Sequence, residues 1–480
     1  MTATPLYRPP APTPSSPLRS LLRVIRQGDG DLLSLVPEDA YRKPLTWLGY
    51  SRRSILLIND TELCREVLHD KQGIFPKNDL MVGALEGLVG NSLFVSSGET
   101  WRRQRQMIDP AFSQLRINAA FASMVNAVDD YQSLLDEHVN QQGSFSLDKA
   151  MSHLTADIIC RTIFSQPLSS DIAGEVFNDF LLFERSVASV DLKQLIFGKP
   201  WATITQPAPV VAACERIRQH IGTMLDPRLN NRSDTNDDIN RSDTKDDIVA
   251  AVIDACDEQT GERFTREELI DQIGVFFLAG HETTASVLTW VFFILAQQPA
   301  VAKRIADDVQ DVTGGEEIQM EHLRQLPYVR NVFREALRLY PPITFLPRVA
   351  LQATSIANVQ VKRGAMIMIS PWTAHRNALL WNNADRFDPE RFSHDEKTGT
   401  PEYSTNKAAA DKGTHLSFGI GPRVCIGASF ATTEATLIIA KLAQRYEFHC
   451  QNTDTVRPVA RLTTRPAFEI QMKITHRNLV

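Results

Sequence analysis

The chain has 480 residues, of which 43% are hydrophobic and 22% charged, with 51 Lys and Arg against 57 Asp and Glu and a formal net charge of −6. This is the composition of a globular protein with a large core, and a mildly acidic chain has no basic field for nucleic acid. The six cysteines are scattered without a CxxC pair, so we expect neither a zinc cluster nor a disulfide framework, and a reduced, cytoplasmic location fits.

The first 30 residues differ in composition from the rest of the chain. Residues 1–17 are rich in proline and lack an apolar core, which excludes a signal peptide or an anchor helix and predicts a polyproline-like segment over the surface. Residues 18–26 predict a short basic amphipathic helix. It could graze a membrane, but docking on the protein is favoured. We therefore expect no transmembrane anchor.

The next part of the chain changes from strand-like to helical patterns. Short strands are predicted between residues 40 and 75, with Ser54–Ile58 the clearest, and residues 100–225 have apolar side chains at helical spacing. Residues 231–239 are then repeated almost unchanged at 240–248. Such short polar copies cannot bury a core, so the repeat predicts a surface loop.

A long helix is predicted to begin at Thr265, because Thr265 and Glu268 have the form of a capping box. It should run to about Gln298, which gives a length of roughly 50 Å. Its apolar stretch 273–296 is long enough to span a bilayer, but the polar residues 281–284 at its middle would be costly there. A core helix is the better prediction.

The rest of the sequence predicts a mainly α fold with a small β-sheet region. A helix over Tyr328–Tyr340 ends at two prolines, residues 343–371 are strand-like, 372–424 are loop-rich, and a last helix runs over Ile426–Gln444. Because no Gly/Ser-rich linker divides the chain, residues 31–480 are predicted to form one domain.

The segment Phe418–Gly427, with the sequence FGIGPRVCIG, holds the strongest chemical signal. Its glycines and proline specify an irregular loop, and Cys425 stands where the loop becomes a helix, whose backbone N–H groups favour a thiolate. A lone thiolate among small residues suits axial ligation of haem iron. A structural cysteine and a nucleophilic cysteine are the alternatives. The spacing disfavours the first, and the lack of a histidine motif disfavours the second.

These residues carry a family resemblance. Phe418, Gly421, Arg423, Cys425 and Gly427 match in full the haem-binding loop of the cytochrome P450s, and the chain resembles a soluble, bacterial-type member. The resemblance implies a single large P450-type domain around a buried haem b. It implies Cys425 as the iron ligand, Arg423 at a haem propionate, and Phe418 and Gly427 at the cofactor.

Glu335 and Arg338 form an i, i+3 pair in a predicted helix, which is a weak signal by itself. In the cytochrome P450s such a pair joins an arginine of a Pro-Glu-Arg-Phe segment, which is Arg391 in this chain. The resemblance therefore implies a buried triad. A buried triad fixes one arrangement more than it adds net stability, so we expect a structural role.

The polar interruption of the long helix has the sequence AGHETT. A glycine in a helix interior costs about 1 kcal/mol relative to alanine, and such violations tend to fall at functional sites. A distortion there would free backbone groups to hold water. By resemblance this segment covers the distal face of the haem, with Ala279 and Gly280 at the cofactor and with Glu282 as the acid and Thr283 as the alcohol of a proton relay. His281 matches no family role, and a satisfied histidine is expected.

Trp101 and Arg105 fall in the sequence WRRQR, which alone is typical of a solvated basic face. The resemblance makes both of them partners of haem propionates, since a buried carboxylate needs fixed donors. Arg348 matches another propionate arginine. Arg102 and Arg103 are then candidates for docking an acidic electron donor.

The resemblance implies a monooxygenase that uses O2 as co-substrate and takes electrons from a separate ferredoxin or flavoprotein reductase, because no such module follows in the chain. The expected substrate is lipophilic, such as a fatty acid, terpenoid or steroid, because the segments expected to line the pocket are mostly apolar. These segments are Leu80–Val89, Phe177–Phe183, the Ala279 side of the long helix, Ile343–Leu346 and Leu462–Thr464. A peroxide-driven or rearranging haem-thiolate enzyme and a haem-binding sensor or carrier are the alternatives.

Overall fold

The computed structural model describes most of the chain, and all structural statements below concern that part. The described residues are 6–16, 18–20, 22, 31–48, 54–77, 79–169, 171–187, 206–230, 247–393 and 414–477. The helices α1 to α14 are, in chain order, Thr61–His69, Asp79–Val89, Gly98–Ile108, Gln114–Asn140, Leu147–Ile163, Asp171–Val187, Ala208–Asn230, Ile248–Asp254, Arg266–Gln297, Pro299–Thr313, Met320–Arg324, Pro327–Leu339, Pro371–Ala374 and Ala428–Arg445.

The strands form small sheets at the edges of the helical body. Strands β1 to β11 are Leu45–Leu48, Ile55–Ile58, Phe145–Ser146, Leu346–Val349, Thr354–Ile356, Val359–Val361, Met366–Ile369, Tyr446–Cys450, Pro458–Ala460, Thr464–Pro466 and Gln471–His476. The largest sheet has the order β1-β2-β7-β4, in which only the β2–β7 pair is parallel. The others are β3-β11-β8, β5-β6 and β9-β10. The predicted mainly α fold with a small β region is confirmed.

Helix α9 runs through the centre of the main hydrophobic core. The predicted capping box is present, because Glu268 N donates to Thr265 Oγ1 at 3.2 Å and Thr265 N donates to Glu268 Oε2 at 2.8 Å. Among the described helices, α9 alone is long and apolar enough to cross a membrane, and 83% of that stretch is buried inside the protein. The prediction of a core helix is confirmed.

Other sequence predictions have mixed outcomes. Helices α12 and α14 confirm the predictions over 328–340 and 426–444 to within two residues at each end. The short strands predicted between 40 and 75 are confirmed by β1 and β2, but helix α1, which was not predicted, also lies there. Its start is fixed by Asp60, whose carboxylate accepts from Leu63 N at 3.0 Å, and its apolar side faces the core. Residues 231–246 of the repeat and 23–26 of the basic helix lie outside the described residues.

Residues 6–16, here called the N-terminal strap, lie across the protein as the expected surface segment. Tyr340 Oη, at the end of α12, donates to Pro10 O at 2.6 Å, and Phe387 N donates to Tyr7 O at 2.9 Å. The strap is therefore tied to the same region of the chain that holds the predicted triad.

The structure brings the three residues of the predicted triad together. Glu335 and Arg338 are completely buried, and Arg391 Nε donates to Glu335 Oε1 at 2.9 Å. An arginine has five N–H donors, and every one on Arg338 is used. They bind both Glu335 oxygens at 2.7 and 2.8 Å and the carbonyls of His375, Ala384 and Arg386 at 2.6, 2.7 and 2.9 Å.

A buried histidine extends this network to the loop before α14 that carries Cys425, here called the cysteine loop. His375 Nδ1 lies 3.0 Å from Arg338 O, and its Nε2 accepts from Leu416 N at 2.8 Å. Burial, with help from His415 and Arg338, lowers the pKa of His375 well below its usual value, so the ring is neutral and can accept this bond. Ser417 Oγ also donates to Leu337 O at 3.0 Å. Helix α12 therefore holds the start of the cysteine loop.

We expect Glu335→Gln to lower the free energy of unfolding by about 3–5 kcal/mol, because it leaves two buried guanidinium groups without their carboxylate. The matched control is Glu390→Gln, which breaks an ion pair with Arg304 whose side chains are 52% and 48% exposed and should cost at most about 1 kcal/mol. Urea unfolding of both variants measures the difference. Equal costs would contradict a special contribution of the triad.

Candidate active site at the cysteine loop

The loop before α14 has a fixed, irregular backbone. Cys425 N donates to Phe418 O at 2.8 Å, and Val424 N donates to Gly421 O at 3.0 Å. Gly421 has a φ of +78°, and a methyl group there would stand 3.0 Å from Leu68 O. Both the conformation and the close approach to α1 therefore require glycine.

The sulfur of Cys425 is presented at the end of this loop. Cys425 is exposed by surface area, and a methyl group on Gly427 would stand 4.0 Å from its Sγ, so the glycine keeps the space beside the sulfur open. The surrounding protein raises the pKa of the thiol by burial, while the Gly427 N–H and Arg105 lower it. The helix start thus helps a thiolate as expected, but burial outweighs it, and the pKa of the thiol is raised overall.

Three cations lie near this loop and form what we call the cationic cluster: Arg348, which is buried, and Lys77 and Arg423, which are half-buried. Lys77 and Arg348 are directly paired in a short antiparallel bridge. Burial lowers the pKa of Lys77 well below its usual value, and Arg423 and Arg348 lower it further. Burial likewise lowers the pKa of Arg348 and of Arg423 to about 10. The cluster is therefore a concentration of positive charge that is unfavourable without an anion.

Part of the hydrogen-bonding capacity and positive charge of the cluster is not matched by the described part of the chain. Arg423 Nη2 donates to Ser96 O at 2.8 Å and its guanidinium lies 4.5 Å from the Trp101 ring, but its buried Nη1 has no hydrogen-bond partner in the described part of the chain. Asp70 is the carboxylate that acts on both arginines, and it already accepts from the backbone at 2.8 and 2.9 Å. The positive charge of the cluster is therefore not fully matched within the described part of the chain, which suits a ligand that carries carboxylates.

Lys77 was missed by the sequence analysis. Its partners come from distant segments, and an isolated lysine carries no local signal. Its ammonium lies 3.8 Å from the centre of the Phe94 ring and donates to the Phe94 carbonyl, so the side chain is held in the cluster.

The basic residues of α3 separate into different surroundings. Arg105 Nη1 donates to Val424 O at 2.8 Å and its Nε lies 2.8 Å from Asp109, so it braces the cysteine loop, and a propionate would have to share its donors. Arg103 is paired with Glu268 at 2.8 Å, whereas Arg102 is 62% exposed. Of the two arginines expected to dock a partner, Arg102 is the more available.

The polar interruption of α9 has one face that is accessible and not packed against the core. Ala279 is exposed and Thr283, one turn later, is half-buried, although most of α9 is buried on all sides. Thr283 Oγ1 donates to Ala279 O at 2.7 Å. The helix is continuous here. A methyl group on Gly280 would stand 2.5 Å from Ile159 Cδ1, so this glycine permits the close packing of α5 on α9.

Glu282 is held as an ion pair that the sequence did not indicate. Arg465 Nε on β10 donates to Glu282 Oε1 at 2.9 Å, a second guanidinium nitrogen binds the other oxygen, and Thr463 Oγ1 donates at 2.6 Å. Burial by itself would raise the pKa of Glu282, but Arg465, His281 and Thr463 lower it overall. Glu282, expected as an acid, is therefore a carboxylate at neutral pH, and these contacts must loosen before it can take up a proton.

Other residues near the interruption have definite positions. The Nδ1 of His281 lies 2.7 Å from Phe277 O, as expected for a satisfied histidine, and its Nε2 faces Glu184, which the sequence analysis did not single out. Glu434 of α14 is buried beside Thr284, and burial raises its pKa well above the usual value, so it is a neutral acid. The helix after Cys425 thus packs against the helix that carries Thr283.

The described side chains of the expected pocket segments are mainly apolar and partly buried against the main core, among them Met81, Val82, Phe177 and Leu462.

Comparison with known proteins decides the family. The Cytochrome P450 family profile matches residues 9–473. The chain belongs to the cytochrome P450 family. It is 30% identical over 400 residues to the cyclooctat-9-en-7-ol 5-monooxygenase of Streptomyces melanosporofaciens, covering 80% of this chain and 78% of that protein. It is 28% identical over 430 residues to a cytokinin hydroxylase of Arabidopsis thaliana, covering 89% and 80%.

Solved P450 structures share the fold. A crystal structure of the cytochrome P450 CYP102L1 superposes with a TM-score of 0.77 at 22% identity, covering 99% of this chain and 100% of that one. Membership of the cytochrome P450 family, shown by the profile match, makes the protein an oxygen-incorporating oxidoreductase, and the family uses haem and O2. The similar proteins include plant and Streptomyces members, so a bacterial type is not singled out.

The residues around the loop fit a haem. The exposed sulfur of Cys425 is a suitable axial ligand, the positive charge of the cationic cluster suits the carboxylates of haem propionates, and Ala279 is a small, exposed residue on α9.

We expect Lys77→Met to weaken haem binding by about tenfold or more, because a charge-assisted hydrogen bond contributes about 1.5–3 kcal/mol. The haem-free protein should keep or gain stability, since one buried cation is removed from two others. Haem transfer to excess apomyoglobin and thermal unfolding of the haem-free protein measure the two effects. The control is Lys71→Met, because Lys71 is an exposed lysine outside the cationic cluster. Unchanged haem transfer would contradict the assignment.

Proposed function

We propose that this P450 is a monooxygenase that inserts one atom of O2 into a lipophilic small molecule, using haem b bound at Cys425. The observation that carries the proposal is the presence, at one loop, of an exposed cysteine sulfur and of a partly buried cationic cluster whose donors are not all used in the described part of the chain. A sulfur ligand and an anchor for two carboxylates are what a haem needs at its iron and at its edge. We also propose that residues 31–480 form a single domain around this site.

Each group has a proposed role in holding the cofactor. Cys425 supplies the thiolate ligand. Lys77, Arg348 and Arg423 bind the propionates, and Trp101 fixes the Arg423 guanidinium by its ring face. Among the remaining assigned residues, Phe418 and Gly427 shape the sulfur side, Arg105 braces the loop, and Ala279 leaves room on the other side. The haem, once bound, supplies the oxygen activation, and the protein supplies position and protons.

Proton supply is assigned to α9. Thr283 Oγ is the hydroxyl nearest the exposed Ala279, and Glu282 follows from the same helix as an ionised carboxylate. Because Arg465 and Thr463 bind Glu282, its carboxylate can take up a proton and release it only as these contacts loosen. In this proposal Glu282 controls when a proton is passed to Thr283, and it does not hold a proton at rest.

The proposed substrate is a small lipophilic molecule such as a fatty acid, terpenoid or steroid. The apolar character of the expected pocket segments supports it. Similar proteins are named as a cytokinin hydroxylase and a cyclooctat-9-en-7-ol 5-monooxygenase, which agrees with hydroxylation of a small molecule. We propose a separate ferredoxin or flavoprotein reductase as electron donor, with the exposed Arg102 at its docking face, and a cytoplasmic location.

We expect Cys425→Ala to abolish the red-shifted absorption band of the ferrous–CO complex, because that band depends on thiolate ligation. Cys160→Ala, at a buried cysteine on α5, should keep it. Absorption spectra of the reduced, CO-treated proteins measure the effect. A wild-type protein that binds haem without this band would refute the proposed function.

We expect Thr283→Ala to keep the ferrous–CO band but to divert most reducing equivalents to hydrogen peroxide, because the hydroxyl that passes protons is lost. Thr289→Ala is the matched control, since Thr289 Oγ1 makes the same type of bond to Ala285 O at 2.8 Å, deeper in the core. Peroxide formed per NADPH consumed measures the coupling. Equal coupling in both variants would contradict the relay.

A further inference from the structure

Behind Glu282 lies a second pair of buried ionisable groups that the proposed function does not use. His281 Nε2 lies 3.1 Å from Glu184 Oε1 of α6. One ligand atom from each of Glu184, His281 and Glu282 lies within 4.8 Å of the others. The His281 side chain is completely buried, whereas that of Glu184 is 11% exposed, so Glu184 is the outer group.

The neighbours of His281 determine which of its nitrogens can exchange a proton. Nδ1 lies 2.7 Å from Phe277 O, which can only accept, so Nδ1 carries a proton. Nε2 lies 3.1 Å from Glu184 Oε1, and neither of these two buried atoms has a hydrogen-bond partner in the described part of the chain. Only Nε2 can therefore take up and release a proton without breaking the bond to Phe277.

The surroundings of the ring leave few other routes. The rings of Phe277, Phe177 and Phe180 lie 4.8, 6.0 and 6.1 Å from the imidazole. In the described part of the chain, the charged groups that act on His281 are Glu184 of α6 and Glu282 of α9, and Arg465 of β10 acts on Glu184. Helix α5 contributes Thr155, which donates to His281 O at 3.0 Å, and His153 behind the Phe177 ring.

The charges of the group are balanced when His281 is protonated. Burial alone would lower the pKa of His281, but Glu184 and Glu282 raise it overall. Burial raises the pKa of Glu184, and the charge of Glu282 raises it further. Two carboxylates then face one imidazolium and Arg465. This arrangement holds one exchangeable proton beside Glu282. A metal ion in the place of that proton is disfavoured, because the positively charged Arg465 already binds Glu282.

We propose that Glu184 and His281 form a proton-supply branch that ends on Glu282. The Nε2–H bond of His281 breaks, the proton joins a Glu282 oxygen as Arg465 loosens, and the neutral imidazole is reprotonated through Glu184 from the solvent side. No electron moves, and one proton enters for each one passed on. Both residues act through Glu282 and are positioning residues. The inference rests on the proposed relay through Glu282 and Thr283.

The test uses Glu184→Gln, which keeps size and a polar contact but cannot carry the proton. The matched control is Glu175→Gln on the same helix, where Glu175 lies 3.3 Å from His220 in a similar but exposed pair. Glu184→Asp is the conservative variant. Histidine-labelled protein gives the His281 pKa by NMR. We expect Glu184→Gln to lower it by about 1–3 units, because a neighbouring carboxylate is lost, and Glu175→Gln to leave it unchanged.

The functional readout needs no substrate. With spinach ferredoxin and its reductase as electron donors, the holoenzyme reduces O2 to water or to peroxide, and the water product needs extra protons. We expect Glu184→Gln to lower the rate of water formation by about tenfold or more, with a solvent-deuterium effect that Glu175→Gln lacks, and Glu184→Asp to recover part of it. An intact ferrous–CO band shows that the proposed function stands.

The outcomes are separable. A wild-type rate of water formation in Glu184→Gln, together with a lowered His281 pKa, would overturn the branch and leave the pair structural. An unchanged His281 pKa would overturn the interaction between Glu184 and His281 itself. Loss of the ferrous–CO band in the wild type would instead count against the proposed function and would leave the NMR result on His281 valid.

Discussion

The structure depends on a single arginine whose hydrogen-bonding capacity is fully used. Arg338 binds Glu335 and three backbone carbonyls from the segment between residues 375 and 386, with no exposed surface. A guanidinium in this setting is a geometric template, because it can be satisfied in only one arrangement of its partners. Through His375 and Leu416 that arrangement reaches the loop of Cys425. The position of the sulfur is thus set from the interior of α12.

Unlike Arg338, the cationic cluster is not fully hydrogen-bonded by the part of the protein that the structure describes. Lys77, Arg348 and Arg423 repel one another, and part of their donor capacity is unmet by the protein. A buried charge that the fold itself does not balance is a cost in the folded protein, and such a cost is reasonable where a ligand carries the compensating charge. Arg338, whose donors are all used by the protein, belongs to the structural framework. The cationic cluster, whose donors are not all used by the described residues, belongs to the ligand site, and this difference distinguishes the two more clearly than the positions of the motifs do.

The sequence could predict features that depend on neighbours in the chain. The capping box at Thr265, the loop around Cys425 and the prolines after Tyr340 are local, and each ended or began an element where expected. Helix α1 was missed because its signal was one N-cap, Asp60, after a strand-like run. Lys77, Arg465 and Glu184 had no local signal, since each gains its meaning from a partner that only the fold brings close. The same holds for Gly280, whose neighbour is Ile159 of another helix.

The N-terminal strap has a consequence for biosynthesis. Its partners Tyr340 and Phe387 are among the later residues to leave the ribosome, although the strap is among the first. A nascent chain must therefore keep residues 6–16 unengaged through most of translation, and the contact closes only when the segment held by Arg338 is complete. Contacts of such high sequence separation are slow to form. A chain interrupted before residue 387 therefore lacks the Phe387 contact that ties the strap to the rest of the protein.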